Sequence, residues 1–227
     1  MTGAGRGLGR TLAERFSANG DTVVAHARSA SALVGVPHER ALIADFSDPA
    51  SLAEAVAAAG IERLDAVVHN AGVLNVAAVA EETLDWWQRS LTVNVIAAAE
   101  LTRLLLPALR AARGHVLFLN SGAGLNAAPR LSSYSASKHA LRAVADSLRA
   151  EERANGVRVT TCYPSHFDTD MQRGLRDQYG SDYDPERAMS TESLADTLID
   201  LLNTPADLVI NELRIEPPNP LPVRPRA

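Results

Sequence analysis

The 227 residues predict an α/β domain built on a doubly wound parallel sheet. Three observations carry this. Short apolar runs rich in β-branched residues alternate along the chain with helical patterns. A glycine-rich start, MTGAGRGLGR, leads straight into the first helical pattern. Ser121, Tyr134 and Lys138 stand together in NSGAGLNAAPRLSSYSASKHAL, just past the fourth apolar run.

In order, the strand-like runs cover residues 22–27, 41–44, 65–70, 115–120 and 157–163. Their apolarity is nearly continuous, which suits strands covered on both faces by helices. The helical patterns cover 12–19, 49–59, 82–113, 132–155 and 191–203. Ser47 or Asp48 before Pro49 reads as an N-cap followed by proline in the first turn. Asn155 and Gly156 read as a helix stop. Strand–helix–strand units wind with right-handed crossovers, which brings ligands to the carboxyl ends of the strands. One domain is expected over 1–215. The Pro-rich tail, 216–227, reads as an extended surface segment or a disordered end.

Composition narrows the function classes. At 46% hydrophobic and 22% charged, the chain is ordinary globular material with enough length for one sizeable core. A net charge of −5 argues against nucleic-acid and anionic-membrane partners, since both select a basic face. No apolar stretch approaches a membrane span, because Arg103, Pro107 and Arg110 interrupt the Leu-rich segment near Leu104. The single cysteine, Cys162, rules out an internal disulfide and reads as a buried structural thiol in VRVTTCYP. No secretory pattern is visible at the start, so a cytoplasmic protein is expected. The histidines are scattered, and neither His139 nor His166 has a partner at ligand spacing, so no metal site is expected.

The chemistry-bearing residues are more specific. Tyr134 and Lys138, four apart on a helix, share one face. An ammonium beside a phenol favours the ionised form, so the expected Tyr134 pKa lies below its ordinary value of about 10. Such a group gives a proton to a carbonyl in reduction and takes it back in oxidation. Ser121, at a strand end, is placed to hydrogen-bond the same oxygen. Asn120, Ser132 and Ser133 are polar neighbours ranked below it.

Gly3, Gly7 and Gly9 let the chain turn sharply and approach a phosphate, while the helix start aims unpaired N–H groups at the anion. Arg6 stands inside this loop. Arg28 follows the run 22–27, where an arginine pairs with a 2′-phosphate and an acid accepts from a 2′-hydroxyl. No acid ends HARS, which favours NADP(H) over NAD(H). Asn94 lies inside an apolar helical stretch, unfavourable for asparagine unless its amide is used.

These motifs stand in the order found in the short-chain dehydrogenase/reductases, and the chain resembles that family over nearly its whole length. They are TGAGRGLG at 2–9, DF at Asp45 and Phe46, NAG at Asn70, Ala71 and Gly72, VNV around Asn94, the Ser121/Tyr134/Lys138 set, and YPSHFDTDM with Pro164 and Thr169. The resemblance implies a Rossmann-like fold and an NADP(H)-dependent oxidoreductase acting on a small-molecule carbonyl or alcohol. It implies that Tyr134 is the general acid and base and that Ser121 orients the carbonyl oxygen. Lys138 would lower the Tyr134 pKa and contact the nicotinamide ribose, and Asn94 would hold a water in a proton relay with Lys138.

By the same resemblance Gly3, Arg6, Gly7, Leu8, Gly9 and Arg28 hold the cofactor. Asp45 meets the adenine amine beside the Phe46 backbone, Asn70, Ala71 and Gly72 lie against the ribose, and Pro164 and Thr169 reach the nicotinamide. Residues 171–189, with Tyr179 and Tyr183, would form the substrate loop. The long helical stretches would form a homodimer or homotetramer interface. The rival readings are a non-catalytic binding or regulatory member of the family and an NAD-linked dehydrogenase.

Three features depart from the family plan. The chain begins at the glycine loop, with no strand ahead of Thr2. A missing central strand would expose two edges or force its neighbours together. The expectation is an upstream start, with a GTG codon for the strand's valine read as Met1. The link between Arg28 and Ala41 leaves room for only a small helix, and Ser165 stands where a glycine usually follows the proline.

Overall fold

The structure, a computed structural model, describes residues 1–221. The five apolar runs become strands β1 (Val24–Ala27), β2 (Arg40–Ile43), β3 (Ala66–His69), β4 (His115–Leu119) and β5 (Arg158–Pro164). A further strand, β6 (Glu212–Ile215), completes the sheet. Every pairing is parallel: β1 with β2, and β3-β4-β5-β6 in that order. Residues 1–4 run between the two groups and bond to both. The Met1 amine donates to Val24 O (3.1 Å), and Ala4 N donates to His26 O (2.9 Å). On the other side Thr2 N donates to Val68 O (2.9 Å). The edges of β1 and β3 are therefore bridged at this level, neither bare nor collapsed together. Below Met1 a small apolar gap is lined by Val24, Leu42, Val67 and Leu101.

The helices are α1 (Gly7–Ala18), α2 (Leu52–Ala59), α3 (Leu84–Leu91), α4 (Ala97–Ala112), α5 (Ser132–Glu152), α6 (Asp170–Tyr179) and α7 (Thr191–Leu202). On one face of the sheet α1 and α7 pack together through Leu8, Leu12, Leu194 and Leu198. On the other, α2, α4 and α5 meet β3 and β4 around Leu52, Leu101, Leu109, Phe118 and Ala145. Each fully buried leucine of this kind contributes about 2–3 kcal/mol of transfer free energy. The short 3-10 turn Ala30–Leu33 is all that fits between β1 and β2.

Several expectations need correction. The stretch 82–113 is not one regular α-helix: α3 and α4 are joined by a π-turn, Thr92–Ile96. The combined helix Leu84–Ala112, 29 residues, is long and apolar enough by length and composition to cross a membrane. Arg103, Pro107 and Arg110, the interruptions on which the contrary expectation rests, all lie on its exposed side. Its opposite side, from Ala97 to Leu109, belongs to the core.

The substrate loop 171–189 is largely α6 followed by the turn Pro185–Arg187. Arg187 binds this segment to the start of the tail, donating to Asn219 O at 3.0 Å. The tail positions 222–227 lie outside the described residues. Asn155 and Gly156 do end a helix, with Gly156 in the left-handed region at φ 75°.

Candidate active site

The site is assembled where β3, β4 and β5 end. Ser121 leaves β4 in extended conformation and caps the turn Gly122–Gly124, its Oγ accepting from Ala123 N at 3.1 Å. The next helix, α5, presents Tyr134 and Lys138 one turn apart on its buried face, 8% and 5% exposed. The Lys138 Nζ lies 5.8 Å from the Tyr134 ring centroid and donates to Leu119 O at 3.0 Å. Asn120, ranked among polar decoys from the sequence, ties these parts together. Its amide donates to Lys138 O (3.0 Å) and accepts from Ser121 N (2.9 Å). An asparagine at the inner end of an apolar strand was the available signal.

Burial sets the proton affinities. Desolvation pushes the Tyr134 phenol above its ordinary range, and the neighbouring Ser121 hydroxyl opposes the shift without reversing it. This corrects the expectation of a phenol acidified by Lys138. The lysine is itself buried, which lowers its ammonium to about 8.

Asn94 sits in the π-turn, a local geometry often found at functional sites. Its Oδ1 accepts from Val73 N (2.8 Å), while Nδ2 donates to Val73 O (2.9 Å) and Ser137 Oγ (2.9 Å). The amide is thus a satisfied core group that fixes the chain after Gly72. Both amide hydrogens are engaged, so the side chain is first a clamp.

The glycine-rich loop is held by Asn70, which the sequence reading named, and by Thr2 and His26, whose side chains it passed over. Thr2 Oγ1 accepts from Asn70 N (2.9 Å) and Ala71 N (3.0 Å), and Asn70 Nδ2 donates to Thr2 O (3.0 Å). His26 accepts from Gly3 N at Nδ1 (3.1 Å) and donates from Nε2 to Ala44 O (3.1 Å), stacked on Phe46 at 4.1 Å. A histidine inside the apolar run TVVAHA was its signal. Gly7 has φ 51° and faces Thr169, whose methyl would lie 3.5 Å from a Cβ there. Thr169 caps α6, accepting from Gln172 N at 3.3 Å.

The cofactor candidates take different positions. Leu8 and Phe46 bury their side chains in the core, leaving only backbone for a ligand. Arg6 is the exposed N-cap residue of α1, which has no side-chain cap, so its first N–H groups are free to meet an anion. Arg28 and Asp45 are exposed neighbours at the ends of β1 and β2. The Ser47 N–H holds the Asp45 carboxyl below its usual range, with Arg28 adding to the effect.

Ser121, Tyr134 and Lys138 share the wall of a cavity of about 510 Å³ with Asn70, Gly72, Pro164 and Thr169. Arg6, Arg28 and Asp45 lie outside it. Three polar atoms in its lining are buried without a partner among the described residues: Ser165 Oγ, His166 Nδ1 and Gln172 Nε2. Unpaired buried polar atoms are costly, so a cavity edged with them suits a polar ligand. Together with the uncapped α1 and the glycine loop, they fit a dinucleotide lying from the loop to Tyr134.

A family model described as short chain dehydrogenase matches residues 1–180. The chain belongs to the short chain dehydrogenase family. It is 30% identical to a Drosophila melanogaster dehydrogenase/reductase SDR family protein 7-like, over 94% of this chain and 72% of that protein. A short-chain dehydrogenase structure from Streptomyces avermitilis superposes with a TM-score of 0.82 at 27% identity, covering 94% of this chain and 85% of that one. An alcohol dehydrogenase from the archaeon Thermococcus sibiricus, complexed with 5-hydroxy-NADP, gives a TM-score of 0.87 at 22% identity. The two chains are covered to 98% and 97%, which speaks for the fold alone. This short chain dehydrogenase is an oxidoreductase of CH–OH and C=O groups on an NAD(P)-binding, Rossmann-like fold.

Proposed function

We propose that this chain is an NADP(H)-dependent carbonyl reductase or alcohol dehydrogenase in which Tyr134 is the general acid and base. The observation that carries the reading is the meeting of Ser121, Tyr134 and Lys138 on one cavity wall. NADPH, when bound, supplies the hydride for the carbonyl carbon. Tyr134 hands its phenolic proton to the carbonyl oxygen, which Ser121 orients by a hydrogen bond. Burial above the ordinary phenol range keeps the proton on Tyr134 at neutral pH, which suits reduction.

Lys138 stands behind the phenol as a buried cation with an easily lost proton and renews the tyrosine's proton. Asn94 holds Val73, and through it Gly72, against the lysine; a water on the unused Oδ1 lone pair would complete the relay to solvent.

Gly3, Gly7 and Gly9, with the start of α1, would hold the pyrophosphate. Arg6 and Arg28 would take a 2′-phosphate, which favours NADP(H) over NAD(H). Asn70, Ala71, Gly72, Pro164 and Thr169 would border the ribose and nicotinamide. A panel of carbonyl substrates with NADPH and NADH tests the reading. Tyr134→Phe is expected to abolish turnover, and Arg28→Ala to erase the NADPH preference. Undiminished turnover by Tyr134→Phe would falsify the mechanism.

Two further elements belong to the proposal. The exposed apolar side chains Leu84 and Ile96 on the long helix support a homodimer or homotetramer, to be read by light scattering. A free buried Cys162 suits a reducing, cytoplasmic setting, to be read by cell fractionation.

A further inference from the structure

The end of the cavity away from the glycine loop is closed by α6. Gln172, Leu175 and Tyr179 lie at i, i+3 and i+7 on this helix and all line the cavity. Tyr179 latches the helix to the opposite loop by donating from its hydroxyl to Pro129 O. The next residue on that loop, Arg130, has φ 61°, a left-handed conformation that is rare and costly for a long side chain. Its carbonyl is held by Ala77 N at 2.9 Å, and its guanidinium lies over the Tyr179 ring, 5.2 Å from the centroid. The backbone is thus pinned so that a cation edges the cavity four residues ahead of Tyr134 in the chain, just before α5 begins.

Among the described residues this cation has no acid to neutralise it. Arg130 forms none of the ion pairs or side-chain hydrogen bonds found among the described residues; its one side-chain contact of this kind is the Tyr179 ring. The cavity lining itself contains no Asp or Glu. It does contain a second donor with no partner, Gln172 Nε2. Between Arg130 and Tyr134 the walls are apolar, formed by Leu74, Leu131 and Leu175.

We propose that the substrate is an oxo acid, or the matching hydroxy acid, whose carboxylate pairs with Arg130 while its carbonyl meets Tyr134. Resting on the oxidoreductase reading above, this names the substrate class: an amphipathic chain with an acid at the α6 end and a reducible carbon at the tyrosine. The guanidinium fork suits a carboxylate, and the apolar walls suit a hydrocarbon spacer. The aromatic face beneath Arg130 keeps the fork in plane without consuming its hydrogen-bond donors.

The test compares the positional series of oxooctanoates with their methyl esters in the presence of NADPH. Wild type is expected to prefer at least one acid over its ester by about 10- to 100-fold in kcat/KM, the worth of a charged hydrogen-bonded contact, with the effect in KM. Arg130→Gln is expected to lose that preference to within about 3-fold while turning over the esters as before, and Arg130→Lys to recover part of it. Equal use of acid and ester by wild type, or equal loss on both in Arg130→Gln, overturns the proposal.

A second measurement needs no turnover: calorimetric titration of octanoate in the presence of NADP+. Binding weakened at least about 10-fold by Arg130→Gln supports the proposal, and binding that is absent or unchanged by the substitution overturns it. Failure of the oxidoreductase reading appears separately, as full activity in Tyr134→Phe or no reduction of any carbonyl.

Discussion

Asn94 and Lys138 face each other across Gly72. A methyl on Gly72 would lie 3.2 Å from the asparagine Oδ1 and 4.0 Å from the lysine Nζ. The backbone there is therefore part of the site's wall, and its lack of a side chain lets clamp and cation approach.

Gly72→Ala should accordingly shift the Asn94 amide by a few tenths of an ångström, because its hydrogen bonds to Val73 and Ser137 leave little slack. The expected stability cost is about 1–3 kcal/mol. The kcat should fall by about 10-fold, with KM for NADPH less affected. Urea denaturation and steady-state kinetics on one preparation check this. A variant with full kcat would show that the amide and ammonium need not be so closely placed.

Asn120→Ala removes the link between the end of β4 and α5. Ser121 N would lose its acceptor inside the protein, at a cost of about 1–3 kcal/mol. Ser121 and Lys138 would lose their common tether, so the drop in kcat should exceed that of a surface substitution on α5. Comparison with Glu151→Ala, which is exposed, provides the control.

Lys138 predicts a pH dependence with a definite sign. Burial lowers its pKa from 10.5 to about 8. Between these values the unfolded chain binds the proton and the folded one does not, so stability rises with pH through this window. Lys138→Met should be more stable than wild type near neutrality, and the advantage should shrink as pH rises from about 8 toward 10.5. Urea titrations on both sides of the window read this directly. For reduction, kcat/KM should carry an inflection near 8 as the cation is lost.

The buried histidines predict acid sensitivity. Desolvation lowers His26 and His115 from 6.5 to about 4 and His69 to about 3. Each must stay neutral to remain in place, and the unfolded chain takes up the proton first as pH falls below 6.5. Stability should fall by about 2 kcal/mol per histidine on going from neutrality to about pH 5. His26→Gln should flatten part of this slope. Because His26 holds Gly3 N, the same substitution should weaken NADPH binding, measured by fluorescence titration. A pH-independent midpoint between 7 and 5 would contradict the neutral-histidine account.

Much of the site could be read in advance because its logic is local. Tyr134 and Lys138 share a face by helical spacing alone, and Gly7 was recognisable because its turn needs a positive φ. The strands β1 to β5 announced themselves by unbroken apolarity, since both their faces are covered. β6 escaped notice, and most of α6 was read as part of a loop, for the opposite reason. DMQRGLRDQY is mostly polar and buries only Leu175, Arg176 and Tyr179, while β6 alternates half-buried with exposed residues at the sheet edge.

Residues far apart in the chain reached decisions that spacing could not anticipate. Tyr134 is more basic than a free phenol because strands and helices from across the chain remove its water, and that desolvation outweighs Ser121. Thr2 became the anchor of the NAG turn only when a contact spanning 68 residues closed. Arg130 gained an aromatic platform from a helix nearly 50 positions later. Periodicity and turn chemistry specify which groups a segment presents. Proton affinity, pairing and access depend on what surrounds those groups, and only long-range packing supplies that environment.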